Sequence, residues 1–231
     1  TCDDVLVTSK WGQEIVNNEV PTAKTHVVPL GVDTDLFKSA EKKLNKDKFV
    51  FFNCGKWEKR KGHDILLLLF QEAFKNENDV ELWMMCENPF LPPQEAAKWT
   101  SAYASDPRVR LIFPSRAEGW NLEILELMSM GKHIITTDYS AHTEYCTEDN
   151  SMLATPYKNE PAIDGIWFKG EAQAQWASLE GIEGLLAGHM RDAYDKWKDG
   201  SLVKNIDGIE TAEKYTWTAC ANRIKEVLDE N

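Results

Sequence analysis

Short runs of apolar, β-prone residues alternate along the chain with longer segments of helical periodicity. The alternation is most regular from Phe49 onward. The predicted strands are Phe49 to Asn53, Val80 to Cys86, Arg108 to Phe113 and His133 to Thr136, and the predicted helices run from about His63 to Lys75, Pro93 to Ala104 and Asn121 to Met130. Strands that alternate with helices in this way form parallel sheets through crossover connections. The pattern therefore predicts an α/β fold built on a doubly wound parallel sheet.

The two ends of the chain differ from this central region. At the amino end we expect a strand from Asp4 to Thr8, a helix capped by Ser9 that runs to about Asn17, and a strand from Thr25 to Leu30. The charged segment Ser39 to Lys48 has no apolar periodicity and predicts a linker, with a boundary near residue 40. The carboxyl third is helical from about Ile182, and Thr216 to Asp229 predicts a terminal helix.

Charge limits the ligands that this chain can bind. Its 231 residues include 26 Lys and Arg against 38 Asp and Glu, which gives a formal net charge of -12. An acidic surface disfavours non-specific binding to nucleic acid or to an anionic membrane. An anionic ligand therefore requires a local concentration of positive charge.

Several classes of protein are excluded by other features. The longest apolar run, Ile65 to Phe70, is far shorter than a membrane helix, and Asp3 and Asp4 stand where a signal peptide would be basic. We therefore expect a cytoplasmic protein that does not span a membrane. The five cysteines form no Cys-x-x-Cys pair and predict neither a disulfide framework nor a zinc cluster. The chain begins with Thr1 rather than Met, which predicts a processed protein or a fragment.

Ligands of doubly wound sheets bind beyond the carboxyl ends of the strands. This rule places loops 53–62, 86–92, 114–121 and 137–144 on the binding side. The first loop runs from Gly55 to Gly62, and between these two glycines it carries four cationic side chains: Lys56, Lys59, Arg60 and Lys61. The N–H groups at the start of the following helix point toward the same loop. The loop is either an anion site or a solvated basic loop, and it matches neither a P-loop nor a dinucleotide fingerprint.

The loop after Phe113 combines a phosphate cradle with two carboxylates. Gly119 permits close approach of a ligand, and the amides of Trp120, Asn121 and Leu122 would point outward at the start of the next helix. Glu118 and Glu126 are eight residues apart, about 12 Å along a helix, and could face one elongated ligand. The alternative is that Glu126 is an exposed helix residue and Glu118 a charge stabilised by the helix dipole.

Cations and amides on one loop, with amides and carboxylates on another, match a nucleoside diphosphate sugar. Cations and amides suit the diphosphate, whereas each carboxylate accepts hydrogen bonds from neighbouring sugar hydroxyls. Four sets of residues carry a family resemblance: Val28-Pro29-Leu30-Gly31-Val32-Asp33, Gly55-Lys56 with Lys61-Gly62, Glu118 and Glu126 as the E-x7-E pair inside EGWNLEILE, and Gly131 with Ile134-Ile135-Thr136-Thr137. In order and spacing they resemble the retaining GT-B glycosyltransferases of the glycogen-synthase-like family 4, also called glycosyl transferases group 1.

The resemblance implies the roles of individual residues. As catalytic residues it implies Lys56 and Lys61, which neutralise the diphosphate, and Glu118, which contacts the transferred sugar. As donor-binding residues it implies Gly55, Lys56, Lys61, Gly119, Trp120, Asn121, Leu122 and Glu126, the last on the ribose hydroxyls. Lys56 stands where the family more often has Arg, and it keeps the charge but loses the bidentate fork. Glu144 matches a further acidic position of the family.

The resemblance also implies the reaction and its partners. The chain would be the Rossmann-like, carboxyl-terminal donor-binding half of an enzyme that transfers a hexose from a UDP- or GDP-sugar, with retention, to a saccharide, lipid or protein acceptor. No cofactor and no metal would be required, in keeping with the lack of a His-Cys cluster. We interpret His63 and His142 as helix-end or surface residues.

The chain departs from the family pattern in two places. Residues 1–40 match only a remnant of the amino-terminal acceptor domain with its linker, whereas residues 41–231 match the donor domain with its carboxyl-terminal helices. Between Val109 and Ser115 the chain runs straight through where the family has a further β-α unit. We therefore expect the isolated chain to bind donor and to turn over poorly.

Other functions fit part of the pattern. A non-catalytic nucleotide-sugar-binding module would need the same loops, and a GT-B-related UDP-sugar epimerase would turn over its substrate without an acceptor. A phosphorylase would need a pyridoxal-phosphate lysine, which we cannot locate. An unrelated flavodoxin-like signalling domain would leave Glu118 and Glu126 without a purpose.

Overall fold

Strands and helices alternate through most of the chain in a computed structural model, which describes residues 4–39, 47–86, 88, 90–109, 120–163, 168–170 and 174–229. The strands are β1 Val5–Val7, β2 Thr25–Val27, β3 Phe49–Gly55, β4 Val80–Cys86, β5 Ile134–Thr137, β6 Ser151–Ala154, β7 Asn159–Pro161 and β8 Gln175–Ala177. The α-helices are α1 Lys10–Glu19, α2 His63–Ala73, α3 Pro93–Tyr103, α4 Leu122–Ser129, α5 Glu183–Lys198, α6 Ile206–Lys214 and α7 Trp217–Asp229. The 3-10 turn Lys59–Lys61 precedes α2, and the 3-10 turn Ala141–Glu144 follows β5.

Parallel pairing dominates the described strands. β1 pairs with β2, β3 with β4 and β5 with β6, all in parallel, whereas β7 and β8 form an antiparallel pair. On the other side of β4, Leu82 forms a parallel bridge with Val109, so the predicted strand from Arg108 begins where expected; residues 110–113 lie outside the described ranges. The predicted α/β class with parallel, helix-connected strands is confirmed.

Most predicted elements are present, with ends shifted by a few residues. Ser9 caps α1 as predicted, because its Oγ accepts the Gly12 N–H at 3.1 Å. The sequence did not predict β6, β7 or β8, which have three or four residues each. Strands this short carry too few side chains for an alternating pattern to stand out.

Two buried clusters hold the elements that carry the binding loops. Phe70, Phe74 and Leu82 are completely buried where α2 and α5 pack on β3 and β4. Leu125 and Met128 of α4 are completely buried in the second cluster. That cluster includes Ala212 of α6, so α6 supports the helix that follows the second binding loop.

The amino-terminal segment is joined to the carboxyl-terminal helices where two backbones cross. The Val32 N–H donates to the Tyr215 carbonyl at 2.8 Å, and Val32 forms a parallel bridge with Thr216. A Cβ added to Gly31 would collide with the backbone of Thr216 and Trp217. Only glycine allows this approach. None of the described helices is both long and apolar enough to cross a membrane.

We expect Gly31→Ala to destabilise the fold by about 2 kcal/mol, because the added methyl group must push the two backbones apart. Urea denaturation followed by circular dichroism measures this change. The matched control is Gly188→Ala in α5, where an added Cβ meets no atom within 4 Å. Removing a glycine from an exposed helix interior should stabilise the protein by up to about 1 kcal/mol. Equal midpoints for the two variants would contradict the close crossing at Gly31.

Candidate functional site

The basic loop leaves the sheet at Gly55 and enters α2 at Gly62. Gly55 has a φ of 147° at the end of β3, and Gly62 has a φ of 73°, so both occupy conformations that suit glycine. Gly62 is also the N-cap of α2, and no side chain caps the helix there. The positive end of α2 therefore faces the loop.

The lysines of this loop are in different environments. Lys61, in the 3-10 turn before α2, has only 7% of its surface exposed. Lys56 is exposed, and its Nζ lies 4.7 Å from the centre of the Phe90 ring in the loop after β4. The alternative of a solvated basic loop thus describes Lys56 and Lys59, both exposed, but is wrong for Lys61.

Aromatic side chains enclose the inner side of the loop. Trp57 stacks on Trp99 of α3 at 6.0 Å between ring centres, and the His63 ring lies 5.1 Å from Trp57 and 5.9 Å from Trp99. The Tyr103 hydroxyl donates to the His63 carbonyl at 2.6 Å. His63 is the first residue of α2, which agrees with its interpretation as a helix-end residue, and it is 1% exposed rather than at the surface.

The second predicted cradle lies at the start of α4. Asn121 is the N-cap in a left-handed conformation, with φ 70° and ψ 69°, and its side chain does not cap the helix. The carbonyls of Trp120 and Asn121 accept the Tyr145 hydroxyl at 2.5 and 2.7 Å. Because these bonds hold the two carbonyls, they also orient the peptide groups that lead into α4 and to Leu122. Trp120 itself is 4% exposed and packs on Tyr145 and Tyr215.

Lys61 and Glu126 are both close enough to Cys54 to act on the pKa of its thiol. Burial and the carboxylates of Glu123 and Glu126 raise that pKa and the Lys61 ammonium lowers it, and together they give a pKa of about 11. Glu126 is half-buried in α4. Its burial, and then the neighbouring Glu123 carboxylate, raise the pKa of Glu126 above its usual range. The structure thus brings two of the predicted residues, one from each loop, to the same end of β3.

The loop after β5 contacts the amino-terminal segment. Ser140 has a φ of 70° and a ψ of -158°, a conformation that only glycine adopts easily. Glu144 accepts the Lys10 N–H at 3.1 Å at the start of α1, and its carboxylate also lies 3.3 Å from the Lys10 ammonium. His142 is completely buried, with its Nε2 2.7 Å from the Thr137 carbonyl, so its interpretation as a surface residue is wrong.

Glu118 and Gly119 lie outside the described residues. Sequence reasoning missed Cys54, His63 and Tyr145 as parts of the site. Cys54 could have been found from its place at the end of a strand, but the contacts of His63 and Tyr145 join residues whose proximity no sequence spacing indicates. In the described ranges, no three His, Cys, Asp or Glu side chains cluster as metal ligands.

Solved structures with the same arrangement of elements are enzymes that handle sugars. Sucrose-phosphate synthase from Thermosynechococcus elongatus matches 100% of this chain with a TM-score of 0.73 at 16% identity. A glycosyltransferase from Rickettsia africae matches 99% of it with a TM-score of 0.72 at 13% identity. HepE from Anabaena, in complex with UDP and glucose, matches 100% with a TM-score of 0.70 at 15% identity.

This chain has a glycosyltransferase fold. The fold corresponds to the Rossmann-like halves of GT-B glycosyltransferases, and the chain spans 58%, 63% and 64% of the lengths of these three structures. No protein-family model matches the chain. No curated protein sequence matches it either.

We expect Glu126→Gln to make the folded protein more stable at pH 7, because the change removes a half-buried charge beside Glu123. A carboxyl group whose pKa is raised by folding supports stability at low pH, and this contribution is lost as pH rises through the raised pKa. The Glu126→Gln variant has no carboxyl group to ionise at this position, so it does not lose stability in this way as the pH rises. Thermal melts should show equal stability near pH 4 and a Tm higher by about 1 to 3 °C at pH 7.

The control for this prediction is Glu72→Gln on the exposed side of α2, where the carboxylate forms an ion pair with Lys75 at 2.8 Å. Its Tm should change little at either pH, because surface pairs contribute little. A lower Tm for Glu126→Gln than for the parent at pH 7 would contradict the unfavourable environment of Glu126.

Proposed function

We propose that this chain is the donor-binding half of a retaining, metal-independent glycosyltransferase that transfers a hexose from a nucleoside diphosphate sugar. The observation that carries the proposal is the buried Lys61 at the positive end of α2, which acts on the Cys54 thiol electrostatically, as Glu126 does. Cationic and carboxylate groups are the partners that a diphosphate and its sugar hydroxyls require.

The diphosphate would bind between Lys61 and the uncapped start of α2. A buried ammonium attracts a phosphate more strongly than an exposed one, because little water screens the pair. The N–H groups at the start of α2 add hydrogen bonds in the direction of the helix dipole. Lys56, held over Phe90 at the edge of the loop, supplies a second charge at the solvent side.

The sugar and ribose would bind toward α4. Glu126 would accept hydrogen bonds from the ribose hydroxyls, and the amides of Trp120, Asn121 and Leu122 would hold phosphate or sugar oxygens. The family resemblance assigns Glu118 to the transferred hexose and Gly119 to the close approach of that sugar. For the nucleobase we favour uracil, since HepE was solved with UDP and with UDP-glucose and TarM with UDP.

The reaction breaks the bond between the anomeric carbon of the hexose and the diphosphate oxygen. Negative charge then develops on the departing diphosphate and positive charge on the sugar ring. Lys56, Lys61 and the amides of α2 stabilise the departing diphosphate, which is the electrostatic contribution that a metal ion makes in other enzymes. A carboxylate at Glu118 would stabilise the positive sugar and help place the acceptor on the same face as the leaving group.

The amino-terminal segment, residues 1–40, would belong to the acceptor half. β1 and β2 form a two-stranded parallel sheet in which Leu6 is 47% exposed. Parallel sheets are normally covered on both faces, and two strands alone are marginally stable. This arrangement fits a piece of a larger acceptor-binding sheet, to which the donor domain of residues 41–231 is joined.

We expect UDP to bind this chain in calorimetric titration and Lys61→Met to abolish that binding. Methionine fills the space of the lysine stem but provides no charge for the diphosphate. The loss should be at least about tenfold in Kd, the size of one charge-assisted hydrogen bond. UDP-glucose should behave in the same way, and GDP should bind more weakly than UDP.

Lys59→Met is the control, because Lys59 is an exposed lysine of the same 3-10 turn. It should bind UDP within about threefold of the parent protein, since screened charges contribute little. If both lysine variants weaken binding equally, a diffuse basic patch rather than a defined site binds the anion. If the parent binds neither UDP nor GDP, the proposed function is wrong.

A further inference from the structure

His63 is a buried titratable side chain that the proposed reaction does not use. Its ring packs against Trp57 and Trp99. No step of the proposed reaction uses His63 as an acid or a base. The Tyr103 hydroxyl holds its carbonyl, and the Asn88 side chain donates to the Trp57 carbonyl at 2.9 Å. The ring is therefore fixed on several sides, which is expected where an orientation rather than a charge is needed.

The hydrogen bond at Nδ1 of the ring reaches back into the basic loop. His63 Nδ1 accepts the Glu58 N–H at 2.9 Å. Glu58 is the N-cap of the 3-10 turn that contains Lys61, and no side-chain bond caps that turn. The Glu58 carbonyl in turn accepts the Lys61 N–H at 3.2 Å. A chain of two hydrogen bonds therefore connects the imidazole to the backbone of Lys61.

This bond requires a neutral ring, because Nδ1 can accept only when it carries no proton. Burial lowers the pKa of His63 to about 2, and the charges of Lys61 and Arg60 act in the same direction. The imidazole is thus held as an acceptor at neutral pH, with its remaining proton on Nε2.

We propose that His63 is a positioning residue for the proposed diphosphate site: by accepting the Glu58 N–H it sets the start of the 3-10 turn and so the direction from which Lys61 meets the phosphates. The inference rests on the proposed function. Histidine is suited to this position because it combines an aromatic ring that packs edge-on against two tryptophans with an acceptor at one defined ring atom. Phenylalanine would pack in the same space but could not accept, whereas asparagine places an oxygen near the position of Nδ1.

The test compares His63→Phe with His63→Asn in three measurements: UDP affinity by calorimetry, uridine binding by saturation-transfer NMR, and Tm. We expect His63→Phe to weaken UDP binding by roughly tenfold, the size of a lost buried hydrogen bond, and to leave uridine binding unchanged. Asparagine should restore most of the UDP affinity. A purely structural role would instead weaken UDP and uridine together and follow Tm.

The outcomes separate this inference from the proposed function. If the parent binds UDP, Lys61→Met does not, and His63→Phe binds UDP like the parent, the positioning role is wrong and the donor site remains. If Lys61→Met binds UDP like the parent, the donor site itself is wrong. Should the phenylalanine variant not fold, nitrogen NMR of the parent decides: the ring must stay protonated on Nε2 alone from pH 5 to 8, and a titration in that range would overturn the proposal.

Discussion

The arrangement of the candidate site depends on one buried cation. Lys61 is almost fully covered, although removing an ammonium group from water costs several kcal/mol. It also stands at the positive end of α2, which adds to that cost. A protein retains such an arrangement where an anion is to be bound, because the same burial that disfavours the cation strengthens its attraction for a phosphate.

The other side of the site shows the same conflict with opposite sign. Glu126 is half-buried near Glu123, so its carboxylate is disfavoured in the protein without ligand. Asn121 and Ser140 add backbone conformations with positive φ at the ends of two neighbouring loops. Unfavourable charges and strained backbone in the same group of loops are typical of sites that evolved to bind rather than to stabilise. The apolar side chains buried under α2 and α4 stabilise the fold and offset these unfavourable contributions.

The sequence predicts the part of this picture that depends on local pattern. Apolar runs and paired glycines predict β3, β4 and α2. The cationic residues of the loop between β3 and α2 are evident in the sequence. In the sequence alone, however, the cationic residues of this loop also fit a solvated basic surface. What decides is the burial of Lys61, in a loop whose Trp57 stacks on Trp99 of α3 from 42 residues away. Long-range packing of this kind has no periodic signal.

The bonds that orient the site are likewise made between distant residues. Tyr145 holds the carbonyls before α4 from 24 and 25 residues away, and Glu144, next to it, accepts the first N–H of α1 from 134 residues away. Consecutive residues after β5 thus bond to the proposed donor cradle and to the amino-terminal segment. Because Val32 is bonded to Tyr215, and the Tyr215 ring packs on Trp120, the same segment is joined to the cradle by a second route. Residues 4–39 are therefore joined to the start of α4 through two sets of contacts. These contacts fix the position of the amino-terminal segment relative to the proposed donor cradle.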